Sequence, residues 1–194
     1  MKIVKITTVS EGSNFSVYVL GRCLIQAFDH YLMRVDIKPK TNTRNTNRLE
    51  RVQITDGNIE ICSQGSFSVP RMIKTWKKQP DLTEGFLYYK QDVPVGYLWV
   101  MYKGGDEYQY RIRQADSIGY HICIFEPYRG NRFVDDMLED IFEYLYKKRI
   151  DEMYVSVRTN NTAAIKAYKR AGMKIVARKR FIRFLGVMIP YHII

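Results

Sequence analysis

The stretch EPYRGNRFV, residues 126–134, separates a short apolar run from an amphipathic pattern. The run before it, Ile118–Phe125, is rich in β-branched and aromatic residues, which is typical of a strand. Pro127 ends that strand because proline cannot donate to a sheet ladder. The pattern after it predicts a helix with one apolar face, because apolar residues recur at three- and four-residue spacing: Phe133, Val134, Met137, Leu138, Ile141, Phe142 and Leu145.

The turn within this stretch has the features of an anion site. The first N–H groups of a helix have no intrahelical acceptor, and the helix dipole is positive there. Arg129 and Arg132 add positive charge, and Gly130 allows a ligand to approach the backbone closely. The alternative is an ordinary strand-to-helix connection that happens to be basic.

The residues that follow repeat the strand-and-helix order. Met153–Val157 alternates as a strand does, and Asn160 or Asn161 is predicted to cap a second helix. Gly172 is predicted to end this helix, because glycine is the usual residue just after a helix C-terminus.

Together these segments resemble the coenzyme A-binding core of the GNAT superfamily of N-acetyltransferases. In that family an Arg/Gln-x-x-Gly-x-Gly/Ala turn cradles the pyrophosphate of CoA, and an Asn-x-x-Ala-x-x-x-Tyr segment lies downstream. The second motif is intact here as Asn161, Ala164 and Tyr168. In the first, Arg129-Gly130 stand in place, but Arg132 occupies the usual glycine position and Val134 the usual Gly/Ala position.

The resemblance is firm over about residues 84–194 and looser over 1–83. It implies one acetyltransferase-like domain, 1–194, of the mixed α/β class. Its central twisted mixed sheet, flanked by helices, would splay after the strand ending at Phe125 and open a cleft for acetyl-CoA. The implied cofactor-binding residues are Cys123, Ile124, Phe125, Arg129, Gly130, Asn131, Arg132, Phe133, Val134, Asn161, Ala164 and Tyr168.

Within that set, the resemblance implies separate roles. Backbone groups of Cys123–Phe125 would pair with the pantetheine arm as an added strand. Asn161 would hold the cofactor through its side-chain amide, or merely cap the helix.

Acetyl transfer to an amine needs a group that takes a proton from the amine and an acid that protonates the leaving thiolate. Tyr168 is the candidate acid, since it matches the family tyrosine and lies about two helical turns after Asn161; the alternative is an aromatic residue that only packs. The candidate bases are Glu126, His121 or ordered water. Glu126 and His121 are five residues apart, so on a regular strand they would face opposite sides.

Composition narrows the class of protein. The 194 residues contain 31 Lys and Arg against 20 Asp and Glu, a net charge of +11, which suggests a polyanionic partner or a solubilising surface. Cys23, Cys62 and Cys123 form no Cys-x-x-Cys pair and the histidines have no metal spacing, so we expect a reducing compartment and no metal. No apolar run has the length of a membrane span and Met1–Val9 does not resemble a signal peptide, so a soluble cytoplasmic protein is expected.

The remaining chain predicts further elements. Strands are expected at 2–9 and Tyr108–Arg113, helices at Phe15–Met33 and Val69–Lys78, and a basic loop at Arg34–Arg51. Hairpins are expected at Gln53–Ile61 with a turn at Asp56-Gly57, across Gly85–Lys90 and Val93–Lys103, and across Lys174–Phe184 and Val187–Ile193. On a strand, the charges of Arg178, Lys179 and Arg180 would split between the two faces.

Three functions are compatible with these patterns. The first is an N-acetyltransferase that uses acetyl-CoA on a primary amine of a small molecule, such as an amino sugar or an amino acid, by direct attack. The second is a non-catalytic acyl-CoA-binding protein, which the residues Arg132 and Val134 favour. The third is nucleic-acid binding, which the net charge and Arg34–Arg51 favour but the lack of an aromatic residue in that loop disfavours. No membrane partner is expected, and a homodimer stays open.

Overall fold

The computed structural model describes residues 3–10, 13–20, 23–39, 49–65, 69–105, 117–184 and 187–192. Its strands are β1 (Ile3–Ser10), β2 (Ser13–Leu20), β3 (Cys23–Asp36), β4 (Glu50–Gln53), β5 (Thr83–Lys90), β6 (Val93–Tyr102), β7 (Ser117–Ile124), β8 (Glu152–Arg158), β9 (Lys174–Phe184) and β10 (Val187–His192). Its α-helices are α1 (Val69–Lys78), α2 (Phe133–Lys147) and α3 (Thr162–Arg170), and short 3-10 turns cover Ile59–Gln64, Pro80–Leu82 and Glu126–Tyr128.

The strands form one mixed sheet in the order β1-β2-β3-β8-β7-β6-β5-β4, with β9 on β3 and β10 on β9. Among the described strand pairs, β7 and β8 are parallel and the others are antiparallel. The crossover between β7 and β8 is α2, as expected for a parallel pair joined by a helix. The predicted mixed α/β fold is confirmed.

The predicted helix over Phe15–Met33 is wrong, because this segment forms β2 and most of β3. One edge of β3 pairs first with β2 and then with β8, and the other edge pairs with β9. These long-range pairings satisfy the backbone groups of β3 along both edges. The apolar spacing that favoured a helix was therefore outweighed by sheet partners that lie far away in the chain.

Helices α2 and α3 cover one face of the sheet and share its larger core. The predicted apolar stripe of α2 is confirmed, since Phe133, Met137, Leu138, Ile141 and Leu145 are buried. They pack with sheet residues that include Met33, Val100, Met153 and Val155.

A polar cluster attaches the second half of α2 to the sheet. Glu84 of β5 accepts hydrogen bonds from Tyr102 (2.5 Å), Tyr144 (2.9 Å) and Lys148 (2.7 Å). Burial raises the pKa of the Glu84 carboxyl, but these three donors outweigh burial and hold the pKa below its usual range. The carboxylate therefore stays charged at neutral pH and fixes where α2 lies.

The other sheet face is covered by the 3-10 turn Ile59–Gln64 and by α1, over a core that contains Tyr97, Trp99 and Phe125. The hairpin predicted at Gln53–Ile61 is wrong. Asn58 accepts from the Thr55 N–H (2.8 Å) and donates to the Gln53 carbonyl (3.0 Å), which stabilises a turn into the 3-10 segment instead.

Other predictions are confirmed within one or two residues: β1, α1, the β5–β6 hairpin and the pairing of β9 with β10. Arg178 and Arg180 both contact Asp29 while Lys179 is half-buried, so these charges do split between faces. The strand predicted at Tyr108–Arg113 lies outside the described residues, as does half of the basic loop, residues 40–48. The two ends of that loop belong to strands β3 and β4.

Candidate functional site

Strands β7 and β8 separate soon after they pair. Their parallel ladder runs only from Ser117 to Gly119 on β7 and from Met153 to Val155 on β8. Beyond it, β7 carries a bulge, because Tyr97 pairs with Cys123 while Trp99 pairs with Tyr120. His121 lies in this bulge with φ of +52°. Since a bulge bends its strand, β7 leaves β8 at this point and a cleft opens between them.

The cleft holds a cavity of about 680 Å³. One wall comes from the end of β7, a second from the turn before α2, and a third from α3. The lining residues are Ile122, Cys123, Ile124, Tyr128, Arg129, Gly130, Arg132, Phe133, Val134, Asn161, Ala163, Ala164, Lys166, Ala167, Tyr168 and Arg170. The structure thus brings ten of the twelve predicted cofactor residues together, and Phe125 and Asn131 do not line the cavity.

The turn before α2 has two residues with positive φ. Gly130 has φ of +86°, and Arg132, the N-cap residue of α2, has φ of +60°. Arg132 therefore adopts the left-handed conformation that glycine adopts most readily. Glycine adopts this conformation with little strain, which explains the glycine at the matching position of the family motif. In this chain an arginine adopts it instead.

The helix that follows offers backbone donors to the cavity. Helix α2 begins at Phe133, so the N–H groups of Phe133 and Val134 precede any intrahelical acceptor. Both residues line the cavity, Phe133 buried and Val134 half-buried. Asn131 lies beside them but is exposed, and its side-chain amide donates to the Tyr128 carbonyl at 3.2 Å.

The three residues predicted to pair with a cofactor arm have different orientations. Phe125 donates its N–H to Val95 (2.9 Å), and the carbonyl of Cys123 lies against Gly96, so both face β6. Because backbone groups alternate along a strand, those of Ile124 face the cleft. The Ile124 carbonyl accepts from Arg129 Nε at 3.4 Å, which agrees with this orientation.

Helix α3 supplies the wall opposite to β7. The Asn161 side chain accepts from the Ala164 N–H at 3.2 Å and caps the helix, one of the two roles predicted for it. Tyr168 lies on the same wall and is 8% exposed. The predicted cap and tyrosine therefore share one cavity wall.

The candidate bases lie apart from that wall. Glu126 is exposed in the 3-10 turn after β7, and His121 is half-buried in the bulge. Neither lines the cavity. The prediction that Glu126 and His121 face opposite sides assumed that both lie on one regular strand. That assumption is wrong, because the bulge breaks the alternation of side chains and β7 ends at Ile124.

The cavity is positively charged. Arg129, Arg132, Lys166 and Arg170 line it, and none of the described residues in its lining is Asp or Glu. Lys166 and Arg170 were missed by the sequence prediction. Helical spacing gave no signal for them, because each lies two residues from Tyr168, and residues at that spacing do not share a helix face.

The described residues contain neither a cluster of metal ligands nor a helix suited to cross a membrane. No group of three or more His, Cys, Asp or Glu side chains in this part of the chain could hold a metal ion. None of the described helices combines the length and the apolar character that a membrane span requires.

The chain matches a known protein family by sequence. A model of the acetyltransferase (GNAT) family matches residues 57–173. No curated protein matches the chain by sequence.

Solved structures share the fold at low identity. A GCN5-related N-acetyltransferase from Sphaerobacter thermophilus is 18% identical, with a TM-score of 0.57 over 86% of this chain and 53% of its own. A conserved protein of unknown function from Staphylococcus epidermidis is 13% identical, with a TM-score of 0.57 over 81% and 62%. A GNAT-family protein from Novosphingobium aromaticivorans is 12% identical, with a TM-score of 0.53 over 81% and 64%. The chain spans less than two-thirds of the length of each.

Proposed function

The chain belongs to the acetyltransferase (GNAT) family, and we propose that it transfers an acetyl group from acetyl-CoA to a primary amine of a small molecule. The observation that carries this proposal is the cavity between β7 and α3, whose walls contain Arg129-Gly130 and the set Asn161, Ala164 and Tyr168. Its positive lining suits the phosphates of CoA, and its volume is within the range of cofactor pockets.

Each wall has a proposed role in binding. The pyrophosphate lies at the turn, where Arg129 and the first N–H groups of α2 donate to it. The pantetheine arm pairs with the backbone of Ile124, and Arg129 then exchanges the Ile124 carbonyl for phosphate oxygen. This arrangement directs the thioester toward the point where β7 and β8 separate.

The proposed chemistry is direct attack of the amine on the thioester. The bond from carbonyl carbon to sulfur breaks, a bond from carbon to nitrogen forms, and Tyr168 protonates the leaving thiolate. The amine loses its proton to water, or to Glu126 or His121 in the complex with acceptor. Much of the acceleration comes from holding amine and thioester together.

A second function is favoured by one observation. Among the described residues that line the cavity there is no carboxylate or imidazole to act as a base. A protein that binds acyl-CoA without turnover would have this lining as well. The two functions differ in whether any amine stimulates release of free CoA thiol.

Binding is tested by thermal melts with acetyl-CoA, with pantetheine and with ATP. Acetyl-CoA at a hundredfold above its dissociation constant should add about 2.7 kcal/mol of stability. For a chain of this size the melting temperature should rise by about 5–10 °C. An equal shift with ATP, or no shift with acetyl-CoA, would refute a dedicated acyl-CoA site.

Catalysis is tested by release of CoA thiol across a panel of amines, followed by Tyr168→Phe. Loss of the acid should lower kcat by about 10²–10⁴-fold, with little change in the affinity for acetyl-CoA. Tyr146→Phe is the matched control, because Tyr146 is an exposed tyrosine of α2 that does not line the cavity. Equal activity of the Tyr168 variant and the wild type would remove Tyr168 from the mechanism.

A further inference from the structure

Two of the basic residues in the cavity share one carboxylate. Arg132 Nε lies 2.8 Å from Asp135 Oδ2. Arg170 contacts the same carboxylate twice, through Nε at 3.0 Å and through Nη2 at 2.8 Å. Asp135 therefore joins the first turn of α2 to the last turn of α3 and sets the positions of both guanidinium groups.

The carboxylate lies behind the arginines as seen from the cavity. Arg132 and Arg170 line both the cavity and a neighbouring pocket of about 250 Å³. Asp135 and Glu139 line only the smaller pocket. An anion in the cavity would thus meet the guanidinium groups without meeting the acidic side chains that lie behind them.

Asp135 is charged and mostly buried, with a side chain 20% exposed. Burial raises the pKa of its carboxyl, but the hydrogen bonds from Arg170 and Arg132 outweigh burial and hold the pKa below the usual range. The contacts of Arg132 with the described residues use only Nε, so its two terminal nitrogens remain as donors. Arg170 keeps one terminal nitrogen in the same way.

Lys166 completes this group, because it lies one helical turn before Arg170 and also lines the cavity. The three cations outnumber the two carboxylates, Asp135 and Glu139, that lie behind the arginines. A phosphomonoester carries a charge of nearly −2 at neutral pH and has three terminal oxygens for such donors.

We propose that Arg132 and Arg170, positioned by Asp135, bind with Lys166 a phosphomonoester of the cofactor: the 3′-phosphate of CoA. This subsite is separate from the pyrophosphate subsite at Arg129-Gly130. The proposal rests on the proposed acyl-CoA function. It also gives a specific role to Arg132, which stands where the family motif has glycine. The chain would therefore select CoA over dephospho-CoA.

The test is isothermal titration calorimetry with CoA and with dephospho-CoA. The wild type should bind CoA at least about tenfold more tightly, since the 3′-phosphate forms charge-assisted hydrogen bonds that dephospho-CoA cannot form. Arg170→Gln should reduce this preference to less than about threefold, because it should weaken the binding of CoA more than the binding of dephospho-CoA. Lys169→Gln is the matched control and should keep the full preference, because Lys169 is an exposed neighbour that does not line the cavity.

Asp135→Asn supplies a second test that does not remove a cation. It should lower the preference for CoA, because the loss of the ion pairs that position the two arginines outweighs the gain in net positive charge. A thermal melt verifies that the variant is folded. Equal wild-type affinity for the two cofactors would overturn the 3′-phosphate subsite and leave the acyl-CoA function intact. Failure of both cofactors to bind would overturn the acyl-CoA function itself, and the subsite with it.

Discussion

Single residues decide the shape of the turn before α2. Gly130 and Arg132 both have positive φ, yet only one of them is a glycine. The cost of this conformation for a residue with a Cβ is about 1 kcal/mol. Arg132 offsets part of it through its ion pair with Asp135, which is 2.8 Å long but partly exposed and therefore weak.

Gly130→Ala isolates the cost of backbone conformation. A Cβ on Gly130 would have no atom within 4 Å, so a destabilisation of about 1 kcal/mol is expected from its φ of +86° alone. Urea unfolding measures it. Gly57→Ala is the control, because its Cβ would meet only Thr55 Oγ1 at 3.7 Å and no positive φ is involved. If both variants are equally stable, the turn does not need a left-handed residue at Gly130.

His30 predicts a pH dependence of stability. Its Nδ1 lies 2.9 Å from Ser156 Oγ, and burial, with a contribution from Arg158, lowers its pKa from 6.5 to about 4. The unfolded chain therefore binds a proton between these values when the folded chain does not. Stability should fall as pH decreases from 6.5 to 4, by roughly 2–3 kcal/mol from this residue.

The measurement compares unfolding free energies at pH 7 and pH 4.5. His30→Gln should lose about 2 kcal/mol less on acidification than the wild type, because it has no group to protonate. Ser156→Ala keeps the imidazole and should keep most of the pH dependence. A His30→Gln variant with the wild-type pH profile would show that other groups cause it.

At the scale of elements, an amphipathic pattern predicted a helix correctly, whereas an apolar run of helical length did not. The helix predicted from residue 133 onward is α2, and its buried residues repeat at the spacing on which the prediction rested. The segment Phe15–Met33 failed because apolar runs of this length fit both helix and strand, and sheet partners decide between them. The bulge at His121 likewise depends on how β6 and β7 meet, and no local pattern indicated it.

Gly96→Ala tests the packing that shapes the cleft. A Cβ on Gly96 would collide with the backbone carbonyl of Cys123, so β6 and β7 must separate beside Ile124. A destabilisation of about 2–3 kcal/mol is expected, together with weaker binding of acetyl-CoA. Urea unfolding and calorimetry measure the two effects.

Gly119→Ala is the control for this element. Its Cβ would collide first with Cε of Met153, the end of a flexible side chain, and a smaller loss of stability is expected. A Gly96→Ala variant as stable as Gly119→Ala would contradict the tight approach of the two backbones.

At the scale of the molecule, β3 joins the N-terminal strands to the rest of the sheet. It is hydrogen-bonded to β2, β8 and β9, so β1–β3 cannot leave without opening the centre of the sheet. That residues 1–194 form a single domain stays a prediction, and this pairing supports it. We therefore expect one cooperative unfolding transition.

Two probes test this expectation. Trp76 and Trp99 report on the face with α1, whereas far-UV circular dichroism reports on all elements. Their urea transitions should coincide. An early transition seen only by circular dichroism would mean that part of the sheet unfolds separately.

The net charge of +11 was a weak guide at this scale. Arg34 and Arg51, at the ends of the basic segment, form ion pairs with Asp36 and Asp140 at 2.6 and 2.8 Å. Four other basic residues line the cavity. The positions of the basic residues therefore indicate the binding partner better than the net charge does.

The amino-acid sequence by itself determined the features that arise within one or two turns of chain. These are the amphipathic stripe of α2, the glycine-containing basic turn, and the Asn161 cap with Tyr168 two turns later, since helical spacing and capping depend on near neighbours. Only the tertiary structure decided that Phe15–Met33 is strand, that β7 bulges at His121, and that Asp135 holds Arg132 and Arg170 together. Each of these features depends on contacts between residues that are far apart in the chain, and local sequence patterns do not predict such contacts.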